Sequence, residues 1–340
     1  MPLKPNSPSE RFQELDALRG LCAAGVLCYH YLFWGPQFYF SKGEALSSFP
    51  WGSYRIQLFC MISGFVILMV LEKTKKSFDF VVHRFSRLYP SYFVVVILSA
   101  CLVTIFSLPD RDISWPQVLI NLTMFQPWLG VRNVDSAFWY LAPELSFYVC
   151  IFCVFLSGQL KRIEVFGFMW LVFMILNENV FGWGHLHLPR FIEVSHLLYW
   201  GHLFFAGILF YNLKTKGHSW QRHTGLALCF IVQNLLSYDI APIISMGICL
   251  VLFYLFLFGR LSWIVQKPFL FLGNISYCLY LIHLNMGYIV IRYLYAKGIN
   301  PWLRFLISTA IALAMATILT YGIERPMMNY IRGMYKKQIK

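Results

Sequence analysis

The sequence predicts an all-α integral membrane protein of about ten transmembrane helices with both termini cytoplasmic. Three observations predict it. Of the 340 residues, 59% are hydrophobic and only 13% charged, against roughly 25% charged in a soluble domain. The mean hydropathy is +0.60, more apolar surface than one soluble core can hide. Finally, apolar runs near the roughly 20 residues that cross a bilayer recur along the chain, and basic residues collect in alternate connections between them. The same composition excludes a disordered, collagen-like or coiled-coil chain and a small disulfide scaffold.

Hydropathy places the spans at about 20–38, 55–72, 91–108, 138–158, 165–182, 196–213, 224–237, 240–258, 269–295 and 303–323. The stretch 116–130 is apolar but short and broken by Pro127, as expected of a re-entrant or interfacial segment. Of the 28 Lys and Arg residues, Lys42, Arg55, Arg111, Arg132, Arg190, Lys297 and Arg304 fall on one side of this plan and Arg292 lies within a helix. All the others fall on the side of the N-terminus, which the positive-inside rule makes cytoplasmic. The net charge of +13 is therefore spread over loops, not gathered into a nucleic-acid surface. The first fifteen or so residues are polar without a small-residue cleavage site, so the first apolar segment is expected to be retained. The chain is then expected to divide into a cytoplasmic segment 1–18, a membrane domain 19–326 and a basic cytoplasmic tail 327–340, and no fused extracytoplasmic domain is expected.

Nearly all nine cysteines lie inside apolar runs, and Cys150 with Cys153 reads as two small hydrophobes on one helix face. No HExxH motif occurs and His185/His187 and His196/His202 lack the i, i+4 match, so no metal site is expected.

Ionisable residues inside spans are costly to bury and mark sites. His30 follows Arg19 by eleven positions, which at 100° per residue leaves a residual of about 20°, so both project from one helix face, with a rise of about 16 Å. His30 is then near mid-membrane, where a neutral imidazole suits a general base for a hydroxyl or a nucleophile that carries an acyl group. A histidine bonded to a neighbouring helix for packing is the structural alternative. In LFCMISGFVILMV, Ser63 and Gly64 permit close helix approach or a small polar contact, and packing alone is the simpler reading. Arg84 and Arg87, three apart before Pro90, share one side of a helix and suit a phosphorylated ligand, against the default of a positive-inside cluster.

Glu144 follows Pro143 amid aromatics, with Tyr148 on the same face. It is a candidate to orient His30 or to bind a sugar hydroxyl, or else pairs with an arginine such as Arg19. In GNISYCLYLIHLNM, Asn274, Tyr277, Tyr280 and His283 recur every three residues on one broad face, lining a pocket or belonging to an interfacial belt. Glu324 is expected to be structural, closing a salt bridge with a basic loop.

These pieces, in order, resemble the acyltransferase-3 family of integral membrane acyltransferases. The resemblance rests on LDALRG with Arg19 ahead of His30, ISGF, RFSR before LYP, FWYLAPELSFY, ISYCLYLIH and the terminal ERP, and it runs from about residue 14 to 326. It implies an O-acetyltransferase-like enzyme of the bacterial cytoplasmic (inner) membrane. Such an enzyme takes an acyl group, usually acetyl, from cytoplasmic acetyl-CoA and passes it to a glycan or glycolipid acceptor. His30 with Arg19 matches the family's first-helix pair. Arg84 and Arg87, with Ser63 and Gly64 alongside, match the coenzyme A side, and Glu144 matches the glutamate of W-x-L-x-x-E-x-x-F-Y. Pro143 beside that glutamate departs from the pattern. Some relatives carry a fused extracytoplasmic domain; without one, transfer is expected in the membrane domain or on a separate extracytoplasmic transferase partner. No nucleic-acid partner is implied. A secondary transporter is the competing reading, but such carriers show repeat symmetry between halves and no repeat is found here.

Overall fold

The computed structural model describes residues 12–35, 56–108, 111–177, 193–237 and 239–338. Lys4, Arg11, Lys42, Arg55, His185, His187, Arg190 and Lys340 lie outside them. Among the described residues there is no strand. The helices are α1 Gln13–Tyr29, α2 Ile56–Lys73, α3 Ser77–Phe106, α4 Trp115–Asn121, α5 Leu141–Leu156, α6 Ile163–Leu176, α7 Leu197–Lys216, α8 Trp220–Leu235, α9 Ile240–Leu257, α10 Lys267–Ala296, α11 Pro301–Leu319 and α12 Arg325–Gln338. A π-helical turn, His30–Trp34, extends α1; a 3₁₀ turn, Ser136–Tyr140, leads into α5; and a second π turn, Thr320–Glu324, joins α11 to α12.

A helix lies on each of the ten expected spans, and six helical stretches among the described residues are long and apolar enough to cross a membrane: Ile56–Lys73, Ser77–Phe106, Ser136–Leu156, Ile240–Leu257, Lys267–Ala296 and Pro301–Gln338. The chain is a multi-pass membrane protein. The other four fall short for visible reasons. Helix α1 carries Glu14, Asp16 and Arg19, while α6 has 14 residues and α8 has 16. Helix α7 has 20 residues but mixes Tyr, Trp, His and Asn into its run. It is buried almost all round, so protein rather than lipid surrounds it and a uniformly apolar surface is not required. Elsewhere the apolar exposure is outward, at Ile105, Val149, Met169, Val172, Ile248, Val251, Leu306 and Ile318, as expected of lipid-facing helices.

Two close crossings set the geometry. A Cβ on Gly273 would overlap the Asp16 carbonyl, so α10 touches α1 backbone to backbone. Further along, Tyr31 Oη donates to the His283 carbonyl at 2.6 Å, so the two helices run parallel. Gly64 and Gly207 do the same for α2 and α7, each meeting a carbonyl of the other helix, at Phe204 and Met61. Small residues at such crossings let helices associate by dispersion where lipid supplies no hydrophobic drive.

One end of the bundle gathers the basic groups. Lys216 pairs with Glu72 at 3.1 Å, Arg222 with Glu164 at 2.8 Å, and Lys214 Nζ donates to the Leu257 carbonyl at 3.3 Å. The opposite end is closed by Asn285, whose amide donates to Ser99 Oγ at 2.9 Å and the Val134 carbonyl at 3.0 Å. Arg111 adds a bond of 3.2 Å to Asn285 Oδ1. The segment 116–130 begins in α4, which packs on α3 through the Tyr92 hydroxyl, 2.8 Å from the Asn121 carbonyl.

One expectation changes. The third span was expected to begin after Pro90, but α3 runs unbroken from Ser77 through Pro90. A proline is tolerated in a membrane helix where neighbours satisfy the freed backbone. Arg84 and Arg87 are thus on the span's own helix, not in a loop before it. In the expected basic tail, α12 docks on α3 through Tyr335 Oη, which donates to Asp79 Oδ1 at 2.8 Å.

Candidate active site

Six elements meet around a cavity of about 260 Å³ at the basic end. Helix α1 contributes Arg19, α2 contributes Phe59 and Ser63, and α3 contributes His83, Arg84 and Arg87. Tyr140, Glu144 and Tyr148 come from α5 and its 3₁₀ lead, Ser276, Tyr277 and Tyr280 from α10, and Arg332 from α12. Helical phase explains the convergence: 84 and 87 are three apart, as are 277 and 280, while 144 and 148 are four apart, so each pair shares a face. A second cavity of about 470 Å³ shares Arg19, Val66 and Arg87 with the first and adds Asp16, Asn274, Glu324 and Arg325.

Among the described residues lining the first cavity are four guanidiniums, Arg19, Arg84, Arg87 and Arg332, and one carboxylate, Glu144. The carboxylate accepts from Ser63 Oγ at 3.2 Å and from the Tyr148 hydroxyl. It sits in the first turn of α5, where the helix dipole favours negative charge. Pro143 falls in the same turn, where its missing N–H has no intrahelical partner to lose, so it does not break the helix. Arg84 lies over the rings of Phe80 and Tyr148, at 5.6 and 5.5 Å, and its Nε is buried without a hydrogen-bond partner. Like charges gathered this closely are unfavourable unless an anion joins them. The second cavity carries two carboxylates, Asp16 and Glu324, and is the poorer seat for an anion.

The cavity reaches Arg19 but not His30. His30 opens the π turn that extends α1, beyond the floor formed by Tyr140, Tyr280 and Phe59, whose rings lie 6.0–6.3 Å apart. There it pairs with His283, one turn past Tyr280. His30 Nδ1 is 2.9 Å from the Val26 carbonyl and 3.1 Å from His283 Nε2, and His283 Nδ1 is 2.8 Å from the Tyr280 carbonyl. A carbonyl oxygen only accepts, so both Nδ1 atoms carry protons in the neutral rings. His283 Nε2 then accepts from His30 Nδ1–H, and His30 Nε2 holds the lone pair. Its backbone is also special, since the π turn begins at His30, and such turns favour functional positions.

The structure therefore brings Arg19, Ser63, Arg84, Arg87, Glu144, Tyr277 and Tyr280 to one cavity and sets His30 with His283 beyond its floor. Gly64, expected beside the donor with Ser63, turns to the α7 crossing instead, because successive helical residues diverge by 100°. Glu324 takes the Cys278 thiol at 3.2 Å, not a basic loop. Among the described residues no group of three His, Cys, Asp or Glu side chains is placed to hold a metal. The sequence reading did not single out His83 or Arg332. His83 is a neighbour of Arg84 in the same basic stretch, and nothing local in the tail marks Arg332.

A family model described as an acyltransferase domain matches residues 12–321. ORF330 of Acidianus two-tailed virus, whose name proposes an acetyltransferase, is 24% identical over 285 residues, covering 79% of this chain and 81% of its own. The acyltransferase MdmB of Streptomyces mycarofaciens is 27% identical over 150 residues, 41% of this chain and 38% of its own. No solved structure matches. With nearly the whole bundle inside the matched region, the chain belongs to the acyltransferase-3 family and is a membrane acyltransferase.

Proposed function

We propose that this chain is a membrane O-acyltransferase that moves an acetyl group from cytoplasmic acetyl-CoA to a hydroxyl of a cell-surface or lipid-linked glycan, in a bacterial cytoplasmic membrane. One observation carries the donor assignment: four guanidiniums and a single carboxylate face one cavity at the basic end. Coenzyme A brings a diphosphate and a further phosphate, the groups that guanidiniums bind in bidentate fashion. The basic end is the cytoplasmic one by the positive-inside rule, where the donor is found. The name of the viral relative supports acetyl as the transferred group.

Arg84 and Arg87 hold the phosphates, and the slender thioester arm passes between α2, α5 and α10 toward His30. The acceptor approaches from the opposite end, past the polar groups of Arg111, Asp135 and Asn285. As its hydroxyl oxygen attacks the thioester carbonyl, His30 Nε2 takes the proton. The C–S bond then breaks, and the departing thiolate takes that proton back from Nε2. His283 holds the ring in this tautomer. Glu144, fixed by Ser63 and Tyr148, lies on the donor path and orients the arm, while Arg19 offsets its charge.

The test is to supply membranes containing the protein with acetyl-CoA radiolabelled in the acetyl group, together with a lipid-linked glycan fraction. The expected result is label in the glycan, released by mild alkali as an O-ester is, and absent with His30→Ala. Label that never enters a carbohydrate acceptor would overturn the glycan assignment. Label trapped covalently on His30 would replace the base with an acyl carrier.

A further inference from the structure

We propose that Arg332, on the helix beyond the region matched by the acyltransferase family, is a phosphate-binding residue of the donor site, so that α12 forms part of that site's wall. The inference rests on the donor reading above and adds to it a residue and an element.

Arg332 lines the same cavity as Arg84 and Arg87. Its Nε donates to Ser86 Oγ at 3.0 Å and its Nη2 to the His83 carbonyl at 3.3 Å. Both partners are on α3, flanking the position of Arg84. These bonds hold the guanidinium plane and use two of its three nitrogens; among the described residues Nη1 has no hydrogen-bond partner. Three residues on, Tyr335 Oη anchors to Asp79 Oδ1 at 2.8 Å and the ring meets Phe78 at 5.6 Å. Residues 332 and 335 therefore form the face of α12 that docks on α3. The other face exposes Met327, Tyr330 and Met334, an apolar stripe suited to the membrane interface.

A purely structural arginine would be expected to face a carboxylate. Arg332 instead faces the cavity that already holds Arg19, Arg84 and Arg87, where the single carboxylate, Glu144, is bonded to Ser63 and Tyr148. Coulomb repulsion makes that arrangement unfavourable when empty and strongly favourable around a multiply charged anion. Its two neutral bonds to α3 fix the direction of the free edge of the guanidinium before the anion arrives, which lowers the ordering penalty of binding.

The test measures competition against radiolabelled coenzyme A on the purified full-length chain in detergent, with unlabelled coenzyme A or pantetheine, which lacks the phosphates, as competitor. Wild type is expected to prefer coenzyme A. Arg332→Ala should weaken coenzyme A about 10- to 100-fold, the span of one charged hydrogen-bond contact, and leave pantetheine unchanged. Arg332→Lys should recover part of the loss, and it serves as the folded comparison if the alanine variant does not purify. Equal weakening of both competitors, or no weakening, would overturn the role of Arg332. If wild type shows no preference for coenzyme A over pantetheine, the donor reading itself fails. If Arg84→Ala loses the preference while Arg332→Ala keeps it, only the inference about α12 fails.

Discussion

At the scale of single residues, the proposed mechanism needs a lone pair on His30 Nε2, and three acceptors leave it there. The Tyr280 carbonyl fixes His283 Nδ1–H, the Val26 carbonyl and His283 Nε2 share His30 Nδ1–H, and the lone pair of His30 stays on Nε2. On that proposal His283 acts through His30, as a positioning residue. His283→Ala should lower turnover about 10- to 100-fold while the affinity for coenzyme A stays within twofold. His283→Gln, which retains an acceptor, should recover part of the loss. An equal fall in donor affinity would instead give His283 a place in donor binding. Glu144 makes a different prediction. Glu144→Gln keeps the bonds to Ser63 and Tyr148 but removes the only carboxylate among the described lining residues. Binding of coenzyme A should tighten or hold while turnover falls, measured by donor competition and label transfer together.

At the scale of elements, two glycine crossings position the walls. Gly64→Val would push a branched side chain into the Phe204 carbonyl and should destabilise the detergent-solubilised protein by about 1–3 kcal/mol, as overpacking typically does, read as a fall in unfolding temperature. An unchanged unfolding temperature would remove that crossing from the account. Elements were also where the sequence was most and least legible. The long spans stood out because lipid requires uniformly apolar faces, and helical phase was enough to pair 84 with 87 and 277 with 280. Phase could not reveal that α3 continues through Pro90, since tolerance of that proline depends on neighbouring helices. Nor could it pair His30 with His283, two positions 253 apart in the chain. The place of Arg332 was hidden for another reason: a lone arginine in a basic tail has no local pattern, and only the docking of α12 on α3 gives it a direction. Gly64 beside Ser63 shows the limit of a motif, because adjacent helical residues face different neighbours.

At the scale of the whole molecule, the account needs a donor on one side of the membrane and an acceptor approaching from the other. Single cysteines at positions 131 and 337, in a chain whose native cysteines are replaced, should react with a membrane-impermeant thiol reagent from opposite sides of sealed vesicles, with 337 cytoplasmic. Reaction of both from one side would contradict the orientation. The central claim is that donor binding and chemistry occupy two places in one bundle, the arginine-lined cavity and the histidine pair beyond its floor. Its most direct test is radiolabelled acetyl-CoA on purified wild type, Arg84→Ala and His30→Ala, with binding and turnover read on the same samples. The account predicts that Arg84→Ala loses binding, while His30→Ala binds like wild type and turns over about 10²- to 10⁴-fold more slowly, the usual range for a lost general base. Wild-type turnover in His30→Ala, or no affinity of the wild type for the donor, would contradict it.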